Sequence, residues 1–117
     1  MNVIDLMNQH VSVRDFKEGE LSEEVKQKLL TAAHAGSSSN FIQATTIIEI
    51  TDEKIRNEIA EISQSAAYVK KSGAFYVFVA DLYRQADLLK QHHQGLAPLK
   101  NMESFLVSVV DTTMFLN

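Results

Sequence analysis

The sequence contains no cysteine, which excludes disulfide staples and thiolate metal sites. No apolar run approaches the roughly 18 residues of a membrane-spanning helix. The opening Met1-Asn2-Val3-Ile4-Asp5 lacks the basic leader and apolar stretch of an export signal. A cytoplasmic protein with no membrane partner is therefore expected. Cationic excess is also missing: eleven Lys and Arg against fifteen Asp and Glu leave a net charge of −4. That balance argues against a broad grip on nucleic acid. Walker and Rossmann glycine patterns are absent, as is the Gly-x-Ser-x-Gly elbow of a serine hydrolase. No catalytic side chain stands out, so any chemistry has to come mostly from a cofactor.

What is present is an ordinary globular composition, 45% apolar and 22% charged over 117 residues. That is enough for one domain or a piece of a larger one. Val3, Leu6 and Met7 at i, i+3 and i+4 predict a short amphipathic helix over residues 2–9. His10 to Phe16 alternates polar and apolar residues and reads as extended. Ser22 is placed to cap a helix running to about residue 35, with Glu23 and Glu24 in its first turn and Gly36 at its C-cap. The runs 44–50 and 74–80 predict two strands, the second central and covered on both faces. Two more helices are expected, one capped by Thr51 or Asp52 with Ile55, Ile59 and Ile62 on one stripe, and one from Leu82 to Leu89. The last helix, from about Leu99 to Asn117, is apolar on more than one side. A helix of that kind has to be covered all round, by a partner chain or by further domain. Helices flanking two short strands make a small α+β unit whose sheet is incomplete by itself.

Two segments are candidates for binding. In extended backbone the imidazole of His10, the hydroxyl of Ser12 and the guanidinium of Arg14 project to one side. That donor set suits an anion such as a phosphate, although the same spacing suits an edge segment with one solvated face. Gly36-Ser37-Ser38-Ser39-Asn40 lets backbone N–H groups approach a ligand and adds hydroxyl donors; a plain connecting loop is the alternative. Gln43, just beyond, suits a heteroaromatic edge or a backbone cap. His92 and His93 are adjacent and share no helical face, so no metal site is expected. His34 reads as a partly buried helix histidine.

In combination these pieces resemble the FMN-dependent nitroreductase superfamily, in its NADPH-preferring group of oxygen-insensitive nitroreductases and flavin reductases. The likeness rests on the order of several motifs. They are His-x-Ser-x-Arg-x-Phe at 10–16, Gly-Ser-Ser-Ser-Asn-Phe-Ile-Gln at 36–43, Ile-Ile-Glu-Ile at 47–50, Phe-Val-Ala-Asp-Leu-Tyr-Arg at 78–84 and Val109-Val110-Asp111-Thr112-Thr113-Met114. The resemblance implies an α/β/α sandwich, with helices around a mostly antiparallel sheet, that dimerises and binds FMN at the subunit interface. It implies NADPH or NADH as co-substrate and ping-pong reduction of a small nitro, quinone or flavin acceptor. It also implies FMN contacts at His10, Ser12 and Arg14, and further contacts around Ser38, with Ser37 and Ser39 as neighbours, to the flavin of the partner subunit; Gln43 joins this set.

Two departures accompany the likeness. Where family members carry a flavin-contacting Gln before the second strand, this chain has Ala66, with Gln64 two residues earlier. Members are also about twice as long, so residues 1–117 are expected to form a single partial domain, the amino-terminal half. A natural truncation, a split gene product and a shortened chain all fit. The missing half includes a second basic cluster, so weak FMN affinity is expected. The alternative is a non-catalytic remnant that oligomerises through its apolar last helix.

Overall fold

The computed structural model describes residues 2–116, except for the side chain of Ala66; the Asn117 end of the expected last helix lies outside the described residues. Two compact units are formed. One comprises the residues up to Glu20 together with Thr51–Phe75, and the other comprises Leu21–Ile50 and the residues from Tyr76 onward.

The first unit holds α1 (Val3–Asn8), α3 (Glu53–Ile62) and α4 (Ala66–Lys71). The Asn2 side chain accepts from the Asp5 N–H while the Asp5 carboxylate accepts from the Asn2 N–H, a reciprocal capping box. Asp52 caps α3 by accepting from the Ile55 N–H at 2.9 Å. α3 and α4 pack together, burying Ala60 and Val69. The isoleucine stripe expected on α3 is not its buried face, since Ile62 is 85% exposed and Ala60 is fully covered. The stretch from His10 to Phe16, read as extended, follows α1 as exposed chain with no ladder partner among the described residues.

The second unit holds α2 (Glu23–His34), β1 (Thr45–Glu49), β2 (Tyr76–Ala80), α5 (Tyr83–Gln91) and α6 (Met102–Met114). β1 and β2 pair antiparallel with Thr45 opposite Ala80, Ile47 opposite Phe78 and Glu49 opposite Tyr76. β2 is half-buried rather than covered on both faces, because among the described residues it is one of only two strands. α2 is capped by Ser22 as expected and is tied to β1 by Lys26, whose ammonium lies 2.7 Å from Glu49 and 3.0 Å from Glu23. The hydrogen bonds to Glu49 and then Glu23 raise the Lys26 pKa.

α6 packs on both strands, but by its polar side. Ser108, Asp111 and Thr112 are buried, with Phe115 just past its end, while Phe105, Leu106 and Val110 are more than half exposed. The expected all-round covering of this helix is therefore absent among the described residues. A hydroxyl pair, Thr112 Oγ1 and Thr45 Oγ1 at 2.9 Å, joins α6 to β1.

Candidate functional site

His10, Ser12 and Arg14 lie in the first unit, on the chain that leaves α1. The His10 N–H closes that helix by donating to the Met7 carbonyl at 3.2 Å. All three side chains are exposed and none makes a hydrogen bond among the described residues. A cationic fork, a hydroxyl and an imidazole thus stand free to meet an anion.

Ser37, Ser38, Ser39 and Gln43 lie in the second unit, between α2 and β1. The Asp111 carboxylate of α6 reaches into this loop. It accepts from Ser38 Oγ at 3.2 Å, from the Ser39 N–H at 2.8 Å and from Ser39 Oγ at 2.8 Å. Ser38 Oγ in turn accepts from the Gln43 N–H at 2.8 Å. Gln85 of α5 adds a further tie, its Nε2 donating to the Ile42 carbonyl. Within the loop, Asn40, Phe41 and Gln43 all take left-handed backbone, with φ of 50°, 55° and 51°, uncommon for residues with a Cβ. Ser37 and the Gln43 amide are exposed and unengaged among the described residues.

Gln43 also lines a small cavity of about 70 Å³ with His34, Thr45, Ile47, Arg84 and Phe115. His34 is exposed rather than partly buried. Its Nδ1 sits 2.8 Å from the Leu30 carbonyl, and its ring meets Phe115 edge-on at 6.2 Å. Near the end of β2, Asp81 accepts from Thr46 Oγ1 at 2.6 Å and from the Tyr83 N–H at 2.8 Å. Those bonds, the Thr46 one foremost, hold its carboxyl below the usual carboxylate range. The Tyr76 hydroxyl is shielded from solvent without a hydrogen-bond partner among the described residues, and burial pushes its pKa up.

Of the sequence-assigned residues, the structure gathers Ser38, Ser39 and Gln43 into one hydrogen-bonded cluster and leaves His10, Ser12 and Arg14 together by sequence alone. Asp111 is the organising group that the sequence reasoning missed, and the available signal was an acid directly after Val109 and Val110 in a mainly apolar helix. Gln64 is exposed with φ 56°; the comparison with Ala66 concerns a side chain outside the described residues. No group of three or more His, Asp or Glu side chains among the described residues could hold a metal. No described helix is long and apolar enough to cross a membrane.

Comparison with known proteins gives a consistent result. The nitroreductase family model matches residues 7–110. The chain is 34% identical over 114 residues to the FMN reductase (NADPH) of Bacillus subtilis, covering 97% of this chain and 46% of that protein. An NADPH-dependent oxidoreductase of Staphylococcus aureus is 39% identical over 117 residues, covering 97% of this chain and 45% of its own length. Among solved structures, the NfrA1 nitroreductase of B. subtilis superposes with a TM-score of 0.92 at 34% identity, over 98% of this chain and 47% of that one. The chain thus spans a little under half the length of the relatives it matches.

Proposed function

The chain belongs to the nitroreductase family and has that family's α+β fold, and from this we propose that residues 1–117 are one partial domain carrying part of an FMN site. The activity it serves is that of an NAD(P)H-dependent oxidoreductase acting on small nitroaromatic, quinone or flavin acceptors, as a homo-oligomer. When bound, FMN supplies the redox chemistry. The chain's own residues bind and orient it. The Arg14 guanidinium, with His10 and Ser12 beside it, meets the anionic phosphate or ribityl end. The Ser37–Gln43 loop offers its backbone, the Ser37 hydroxyl and the Gln43 amide to the polar edge of the partner subunit's flavin.

One observation carries this reading. The side chains of His10, Ser12, Arg14, Ser37 and Gln43 are exposed polar groups with no hydrogen bond among the described residues. Each of these two donor sets, one in each unit and both inside the span matched by the family model, fits one part of a phosphorylated heteroaromatic ligand. The residues present therefore suit FMN. A titration of purified protein into FMN tests this: saturable quenching of flavin fluorescence with a dissociation constant of about micromolar or weaker is expected. Unquenched flavin at about a hundredfold higher protein concentration would overturn the reading. NADPH oxidation with a quinone acceptor, stimulated by FMN, is the companion assay.

A second reading, a non-catalytic module that assembles through α6, is favoured by the exposure of Phe105, Leu106 and Val110. Colourless protein that oligomerises cleanly and does not quench FMN would support it over the first.

A further inference from the structure

We propose that Asp111 is the positioning residue of the serine loop, holding it in the backbone conformation that receives FMN; this rests on the flavin reading of the loop given above. Asp111 is 3% exposed, and its two carboxylate oxygens serve as acceptors. The Ser38 and Ser39 hydroxyls and the Ser39 N–H must therefore all donate to it, over 2.8–3.2 Å. With its single proton committed to Asp111, Ser38 Oγ offers a lone pair to the Gln43 N–H. Neither hydroxyl proton is left for a ligand. Ser38 and Ser39, assigned from the sequence as flavin contacts, act instead through Asp111, leaving Ser37, Gln43 and the backbone as the groups through which this loop touches FMN.

The loop needs such a clamp. Three left-handed residues, Asn40, Phe41 and Gln43, are sterically disfavoured and persist only where their surroundings fix them. Phe41, 79% exposed, gains no packing that would hold it there. Asp111 fixes the loop from one side, and Gln85 fixes Ile42 from α5. Released from Asp111, the chain would relax toward ordinary backbone and the Gln43 amide would lose its aim.

Amide hydrogen exchange and FMN fluorescence quenching, measured on the same variants, test the proposal. In Asp111→Ala the Ser39 and Gln43 amides are expected to exchange about tenfold faster or more, and the FMN dissociation constant to rise about ten- to a hundredfold. Asp111→Asn keeps an acceptor for the Ser39 N–H and should restore most of both. Adding Ser39→Ala to Asp111→Ala should change FMN affinity by less than about twofold, because the two residues act as one unit. Unchanged exchange in a folded Asp111→Ala protein overturns the proposal. So do additive effects in the double variant, which would make Ser39 a direct flavin contact. Should Asp111→Ala fail to fold by circular dichroism, Ser39→Ala decides: unchanged exchange at Gln43 there is equally fatal. A chain that never quenches FMN overturns the flavin reading, while the exchange data still decide whether Asp111 holds the loop.

Discussion

A Cβ added at Gly36 would lie 3.2 Å from the Ala33 carbonyl oxygen and 3.4 Å from that of Met114. Both neighbours are backbone atoms and cannot rotate aside. The glycine just past α2 is thus needed for close approach to the end of α6, and not for the left-handed cap its position suggests. Gly36→Ala is expected to destabilise the second unit by about 1 kcal/mol, the overpacking cost less the entropy an alanine removes from the unfolded chain. Urea unfolding would read this directly, and an unchanged midpoint would show that the α2–α6 approach is slack. Asp81 offers a second test at this scale. Its folded carboxyl titrates below the usual range because Thr46 and the Tyr83 N–H donate to the charged form. Its contribution is therefore fully present above the ordinary carboxylate range and is lost as the pH falls through the lowered folded value. Thr46→Val removes the largest of the causes that lower it. The drop in urea midpoint between about pH 6 and about pH 3 should shrink in that variant; an equal drop would mean that Thr46 is not what holds Asp81 ionised.

At the scale of elements, α6 inverts the usual rule. Its buried side chains are Ser108, Asp111 and Thr112, while Phe105 is 57% and Val110 56% exposed. Stability of the isolated chain should follow burial and not hydrophobicity. Val110→Ser is expected to change unfolding free energy by no more than about 0.5 kcal/mol. Thr112→Val, which breaks the hydroxyl pair with Thr45, should cost about 1 kcal/mol. The reverse order in chemical denaturation would mean that the apolar side is covered in solution. The same helix shows which parts of the fold the sequence discloses. Ser22 is legible as a cap, and Asp52 as one of two candidates with Thr51, because a cap is local, an oxygen and an N–H three residues apart. The β-branched run at Thr45–Glu49 and its partner Tyr76–Ala80 are legible for the same reason. Which face of a helix is buried depends on what packs against it, so the isoleucines of α3 and the polar side of α6 could not be read. Nothing in the periodicity marks α4. The serine loop announced itself by composition, but its clamp did not, because Asp111 stands 72 residues from Ser39 and no local pattern links them.

For the molecule as a whole, the exposed side of α6 sets the next question. Met102, Phe105, Leu106, Val109 and Val110 recur at the three- and four-residue spacing that makes one continuous helical face. An exposed apolar face of a few hundred Å² is uncommon on a monomer and marks a contact surface. Water gains by its removal at roughly 25 cal/mol per Å², against an association cost of several kcal/mol. A face of that size is enough for weak association when two copies each bury one, and not enough for an obligate complex. Self-association in the micromolar range is therefore expected, seen as a sedimentation coefficient that rises with protein concentration. Placing a charge on the face with Phe105→Glu and Val110→Glu should shift the protein toward monomer. It should leave the Ser38–Asp111 cluster intact, because Asp111 occupies the buried side of the same helix. Sedimentation as a monomer at every concentration would show that α6 stays bare in the isolated chain, and the oligomeric part of the proposed function would fall with it.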